Sequence, residues 1–185
     1  MIKFETAVAH FIDKEGKIEE NPHDINSITK YGISLRFLKS LTSDQLREYG
    51  FPSDPALINK EDIIQLTPTI AKFLYFGMFW KDLPFERINN NNVVNYLFDM
   101  VVKMGASPAV KCLQRACWAV MRDNKIVKED GILSEVTLGC INFCGDLLLP
   151  PLRAERAAEY KLLANEKPDV RIKLEALLDS VYANI

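Results

Sequence analysis

The stretch Glu15-Gly16-Lys17-Ile18-Glu19-Glu20-Asn21-Pro22-His23-Asp24-Ile25-Asn26-Ser27-Ile28-Thr29-Lys30-Tyr31-Gly32-Ile33 decides how the chain is read. From Gly16 to Tyr31 the pattern is polar, and Asn21-Pro22, Asp24, Asn26 and Ser27 are turn formers. The expectation is a loop holding a small β-hairpin, and it is where a site can be built. Just upstream, Phe4, Ala7, Val8, Phe11 and Ile12 recur at i, i+3, i+4, i+7 and i+8. That is one apolar stripe on a first helix ending near Lys14. Glu15 therefore falls at or just beyond a helix C-terminus, walled by Phe11 and Ile12.

Downstream the signals are helical. Ser43 reads as an N-cap before a short helix that Gly50 ends. Thr67-Pro68, a cap followed by an N1 proline, opens an apolar helix through Ile70, Phe73, Leu74 and Trp80. The run Asn89-Asn90-Asn91-Asn92 breaks the pattern, and the next helix runs from about Val93 to Met104 and stops at Gly105. Ser107-Pro108 opens a helix through Trp118, Glu129-Asp130-Gly131 makes a turn, and helical stretches near 134–144, 152–165 and 169–183 complete the chain. Sustained strand alternation is confined to the early loop, and no repeat stands at solenoid periods. The expected fold is mainly α. Its expected halves are 1–88 and 93–185, packed as one globular unit.

Bulk properties narrow the function. The chain of 185 residues carries 23 Lys plus Arg against 25 Asp plus Glu, a net charge of -2, so no strong field draws it to nucleic acid or an anionic membrane. Its apolar runs fall short of the ~18 residues that a membrane-spanning helix needs. Met1-Ile2-Lys3-Phe4-Glu5 enters the amphipathic pattern directly, which reads as a cytoplasmic product without a signal peptide. Cys112, Cys117, Cys140 and Cys144 all lie in apolar helical patterns without a CxxC pair, and His10 and His23 are far off in sequence. They read as buried thiols rather than as a metal site or disulfides.

Glycoside hydrolysis needs a carboxylic acid beside the leaving oxygen, and usually a second carboxylate or a positioned water across the sugar ring. Glu15, Asp24 and Thr29 can supply those roles. Spacing alone does not select them, because 25 acidic residues in 185 give many such pairs by chance. Without further information Glu15 and Asp24 read as solvated carboxylates, like Glu5, Glu19 and Glu20.

The stretch resembles the signature of glycoside hydrolase family 108, whose pattern in one-letter code is EGGYxxDPxDPGGxTxYGI. Glu15 and Gly16 match its opening, Pro22 and Asp24 its middle, and Thr29, Tyr31, Gly32 and Ile33 its end, without a gap. Further on, Tyr75, Phe79-Trp80, Leu83-Pro84, Leu97-Phe98-Asp99 and Gly105 are similar to later family elements. Leu113-Gln114, Asp130-Gly131-Ile132 and Thr137-Leu138 resemble the peptidoglycan-binding half that accompanies them. The chain departs from the pattern at Lys17 and Ile18, where the family has its second glycine and an aromatic. It departs again at Asn26 and Ser27, which replace paired glycines, and a reshaped loop is expected there. The steps from Glu15 to Asp24 and Thr29 also resemble the Glu, Asp, Thr series of phage-type lysozymes, in which the threonine lies one residue further on.

The resemblance implies a lysozyme-like fold and an N-acetylmuramidase acting on peptidoglycan glycan strands. Glu15 would be its catalytic acid, Asp24 and Thr29 would hold water or stabilise charge, and Tyr31 would touch substrate. It implies no metal and no organic cofactor, and export by a holin or a secretion machinery. Two rivals stay open. One is a lytic transglycosylase; the other is a catalytically silent wall-binding, phage-structural or secretion-associated module. Trp80, Tyr75, Tyr96 and Trp118 read as core at helical spacing, and Asp99 is the first alternative carboxylate.

Overall fold

The computed structural model describes residues 2–21, 24–166 and 178, while the side chains of Ile2, His10, Lys14, residues 21–27 and Glu166 lie outside that description. The chain forms two compact units, Met1–Lys81 and Asp82–Ile185. The division comes ahead of the asparagine run, which belongs to the second unit.

In the first unit α1 (Ile2–Lys14) buries Phe4, Ala7, Val8 and Phe11, the stripe read from the sequence. Strands β1 (Glu19–Asn21), β2 (Asp24–Lys30) and β3 (Ile33–Ser34) make an antiparallel sheet in the order β1-β2-β3, with a register irregularity between β1 and β2. The expected loop is thus two hairpins sharing β2. Ile28 is fully buried and its pleat neighbour Thr29 half-buried. Successive residues of a strand point to opposite faces, so one face of β2 feeds the core and the other carries Thr29.

Short helices α2 (Leu35–Lys39), α3 (Ser43–Glu48) and α4 (Lys60–Ile64) follow, each started by a side-chain cap. The cap of α3 is Thr42 rather than Ser43. The capping box needs a Glu or Gln three residues on, and Gln45 stands at that distance from Thr42. Its Oε1 accepts the Thr42 N–H at 2.9 Å, while Thr42 Oγ1 accepts the Gln45 N–H at 3.3 Å. Thr67 caps α5 (Pro68–Tyr75) as expected, with Pro68 in its first turn.

The segment read as one helix through Trp80 widens after Tyr75 into a π turn, Phe76–Trp80, closed by the Lys81 N–H donating to the Phe76 carbonyl at 3.0 Å. A Cβ on Gly77 would lie 2.9 Å from Cζ of Tyr49, so only glycine lets that ring approach. Trp80 and Tyr75 are buried, in keeping with their reading as core.

The second unit packs α7 (Ala106–Met121) against α6 (Asn91–Met104) and α9 (Leu149–Glu166), with α8 (Glu135–Cys144) beside α7. Asn90 caps α6, its Oδ1 accepting from the Asn92 and Val93 N–H groups, so the asparagine run is a helix start. Fully buried Gln114 spends its amide on the Asp130-Gly131 turn. It donates to Asp130 Oδ1 and the Ile132 carbonyl, both at 3.0 Å, and accepts the Gly131 N–H at 3.0 Å. Trp118 is half-buried and donates Nε1–H to the Val127 carbonyl at 2.9 Å.

All four cysteines are buried free thiols, as read. Burial pushes Cys112 and Cys144 up to about 11 and Cys117 higher still. The helical stretch read near 169–183 lies outside the described residues, apart from Leu178. No described helix is long and apolar enough to cross a membrane.

Candidate active site

The site begins where α1 stops. The Glu15 N–H still donates to the Phe11 carbonyl at 3.3 Å, and the chain then leaves the helix at Gly16. A Cβ on Gly16 would fall 2.8 Å from the Ile12 carbonyl oxygen and 3.2 Å from Cε1 of Tyr31. Glycine at 16 therefore admits the Tyr31 ring against the helix end.

Tyr31 and Gly32 form the two-residue loop between β2 and β3, flanked by the pairs Lys30↔Ile33 and Thr29↔Ser34. Both have positive φ, +53° and +73°. Positive φ at both central residues marks a type I′ hairpin turn, whose twist suits the strands it joins. Glycine takes that conformation freely, whereas a tyrosine there is strained and must be held. Three contacts hold it. The Tyr31 N–H donates to the Glu15 carbonyl at 2.5 Å, the Tyr75 hydroxyl donates to the Tyr31 carbonyl at 2.7 Å, and the Tyr31 ring packs on Gly16.

Two further anchors fix the hairpin from below. Lys30 Nζ donates to the carbonyls of Ile64 at 2.6 Å and Leu66 at 2.8 Å, at the C-terminal end of α4, and lies 5.5 Å from the centre of the Tyr31 ring. Carbonyls left over at a helix end attract a cation by charge and by hydrogen bonding. The Tyr75 ring is buried 4.8 Å from that of Phe11. Its hydroxyl is thus a fixed point under the turn.

The Glu15 carboxyl rests on this turn. A Cβ on Gly32 would collide with Glu15 Oε2 and with the Tyr75 hydroxyl, the latter at 2.6 Å. Glu15 itself is half-buried and Gly32 exposed, so the carboxyl lies close to the surface.

The structure thus brings Glu15 and Tyr31 together through the Tyr31 N–H to Glu15 carbonyl bond, and puts Thr29 two residues back on the central strand. Asp24 lies at the start of β2, where its backbone pairs with Asn21, and its side chain is outside the described residues. Asp99 is in the second unit and is engaged by Arg156, whose Nη2 lies 2.6 Å from Asp99 Oδ2. Tyr96 is half-buried beside Arg153 and Arg156, 5.8 and 5.3 Å from its ring. No group of three His, Cys, Asp or Glu side chains among the described residues could hold a metal ion.

A glutamate seated on a strained hairpin at the end of the first helix, in a mainly helical chain with a small antiparallel sheet, fits a lysozyme-like class of fold. The solved structure of SagA from Brucella abortus is similar, with a TM-score of 0.63 at 21% identity over 97% of this chain and 94% of that one. At that identity the likeness is one of fold. No curated protein matches the sequence. The family model described as Glycosyl hydrolase 108 matches residues 8–105, more than half of the chain, and the chain belongs to that family. Membership makes it a glycoside hydrolase domain of the lysozyme-like, peptidoglycan-directed kind. The matched segment holds the whole hairpin, α5 and its π turn, and ends at the glycine between α6 and α7.

Tyr75, Gly32 and Lys30 are the site residues that sequence reasoning passed over as chemistry. Tyr75 stood in a helical apolar pattern and matched a family position, but nothing local shows that its hydroxyl reaches a carbonyl 44 residues back. Lys30 carries no local sign that its ammonium reaches the carbonyls at the end of α4.

Proposed function

We propose that the protein is an N-acetylmuramidase that cleaves the β-1,4 bond after N-acetylmuramic acid in peptidoglycan glycan strands, with Glu15 as general acid. The observation that carries the reading is the seat of the Glu15 carboxyl on the Tyr31-Gly32 turn, inside the segment that the family model matches. A carboxyl held at a surface turn can reach the leaving oxygen of a long polymer lying across it, which a buried acid could not.

In this reading Glu15 protonates the glycosidic oxygen as the bond breaks. Asp24 and Thr29 position the attacking water or stabilise positive charge on the sugar, and Tyr31 contacts the chain. Water attacks from the opposite face and the anomeric configuration inverts. The second unit supplies further peptidoglycan contacts. The protein is made in the cytoplasm and reaches the wall through a holin or a secretion machinery.

Turnover of purified peptidoglycan by Glu15→Gln tests this. The amide keeps the shape but cannot deliver a proton, and the rate should fall about 10²- to 10⁴-fold. Glu20→Gln is the control, since Glu20 is exposed and pairs with Lys60 at 2.6 Å. Activity of Glu15→Gln within a few-fold of the parent would rule Glu15 out. Reducing muramic ends among the products support hydrolysis, and anhydro ends would make the enzyme a lytic transglycosylase.

A further inference from the structure

We propose that the exposed face of α8 is an interface between two copies of this chain, the helices pairing antiparallel about a two-fold axis at Gly139. The inference is independent of the acid assignment.

One side of α8 belongs to the core, where Thr137, Leu138, Cys140, Ile141 and Cys144 are buried. The other side is apolar too. Val136 is 61% exposed and Phe143 79% exposed, and a Cβ on Gly139 between them would meet nothing within 4 Å. With 3.6 residues to the turn, these three positions lie within about 60° of one another and make one strip along the helix. Ile132, 60% exposed, stands just ahead of the Ser134 cap, and Leu147, 68% exposed, lies in the tight turn Gly145–Leu148 that follows. Scattered exposed apolar residues are ordinary, whereas a run of them around one helix marks an interaction surface.

The spacing selects the partner. Val136 and Phe143 are equally far along the chain from the midpoint of α8, between Gly139 and Cys140, and so are Ile132 and Leu147. A half-turn about an axis through that point sets Val136 against the partner's Phe143 and brings Ile132 toward the partner's Leu147. Every contact then occurs twice, as an isologous interface demands. Glycine at the axis lets the two backbones approach closely, where a side chain would hold them apart. A pattern that reads alike from both ends fits a second copy better than an unrelated protein.

The polar neighbours are engaged on their own chain. Arg87 grips Glu135 with both terminal nitrogens, at 2.6 and 2.5 Å, while Asn142 donates to the Arg87 carbonyl at 2.9 Å and accepts the Asn89 N–H at 2.8 Å. Glu135 and Asn142 rim one edge of the strip, and the Glu135 charge is already balanced. At their exposures the four apolar side chains present about 500 Å² per copy, so pairing covers about 1,000 Å² in all, the lower limit for a specific interface. The dimer is accordingly weak, with a Kd on the order of 10–100 µM.

The test is sedimentation equilibrium of the full chain from about 1 µM to about 1 mM, which should show monomer passing to dimer within that range. Phe143→Asp should weaken association about 10- to 100-fold and leave the unfolding temperature of the dilute protein unchanged, because the ring is exposed in the monomer. Gly139→Ala separates the interface from the fold. Alanine favours an exposed helix, so the dilute variant should melt about 2–4 °C higher, yet its methyl at the axis should weaken the dimer about tenfold. Gly139→Cys should be joined into a covalent dimer by oxidised glutathione, and Ser53→Cys, exposed but in the first unit, should not.

A chain that stays monomeric at the highest concentration overturns the proposal, whatever else the face binds. A dimer unaffected by Phe143→Asp and Gly139→Ala, or one that does not cross-link at position 139, is built on another surface and overturns it as well. Should Phe143→Asp fail to fold, Gly139→Ala alone decides.

Discussion

Gly32→Ala and Gly50→Ala make a matched pair of perturbations, because both glycines adopt left-handed backbone and only one touches the candidate acid. Gly32 has φ +73° and Gly50 φ +81°. An L-residue forced into that region costs about 1–2 kcal/mol, so each variant should melt about 2–8 °C below the parent. At Gly50 nothing lies within 4 Å of the new methyl, and the loss should stop there. At Gly32 the methyl would stand 2.6 Å from the Tyr75 oxygen and against Glu15 Oε2, where ordinary contact begins near 3.4 Å. Tyr75 is locked by its ring packing and by Tyr31, so the carboxyl must be the group that moves, by about an ångström.

A misplacement of about 1 Å at a reacting group can cost roughly 10²-fold in rate. The assay is turnover of soluble peptidoglycan fragments, measured below both melting transitions and set beside thermal unfolding of each variant. Gly32→Ala should lose about 10²-fold in kcat, and Gly50→Ala should stay within about threefold of the parent. Equal activities for the two variants at equal folded fraction would refute the claim that the turn seats the acid. So would a Gly32→Ala enzyme that fails only through KM.

Two further outcomes follow from the second unit. Gln114 and the Ile132 N–H hold the Asp130 carboxyl below the usual carboxylate range. Its stabilising contribution is therefore present above about pH 4 and lost as pH falls through the lowered value; the gap in urea midpoint between the parent and Asp130→Asn should shrink as pH falls below about 4, and a gap independent of pH would count against it. Burial holds Cys112 and Cys144 near 11 and Cys117 higher, so these three carry almost no thiolate at pH 8. Iodoacetamide should label the native protein slowly and all four cysteines after denaturation, and rapid native labelling would show that the helices open readily.

The elements that the sequence announced are those whose cause is local. The α1 stripe, the Thr67-Pro68 start of α5 and the stop at Gly105 each rest on residues within a turn of the feature they set. The hairpin's existence was legible from its polar run, but the conformation of its tip was not. Nothing in a single tyrosine says that it will take positive φ, because the cost is met by partners far off: Tyr75 at a separation of 44 residues, and the carbonyls at 64 and 66 that steady Lys30. The π turn after Tyr75 was hidden for the same reason, as apolar periodicity runs through it and only the approach of Tyr49 to Gly77 distinguishes it. Glu15 was singled out by resemblance alone, and the turn on which its carboxyl rests shows only in the fold.

The departures from the family pattern sort by contact rather than by backbone need. Lys17 and Ile18 were expected to reshape the loop, yet both are exposed and neither takes positive φ. Asn26 and Ser27 run within extended β2, a conformation open to any residue. Losing glycine at 17, 26 and 27, and the aromatic at 18, therefore forfeits no conformation that the fold requires. Gly16 and Gly32 are different. A side chain at 16 would push Tyr31 off the helix end, and one at 32 would displace the Glu15 carboxyl. Each retained glycine keeps its Cβ position clear for a neighbour that has to sit there. The two that this chain preserves are the two that frame the acid, so the divergent positions can vary without disturbing it.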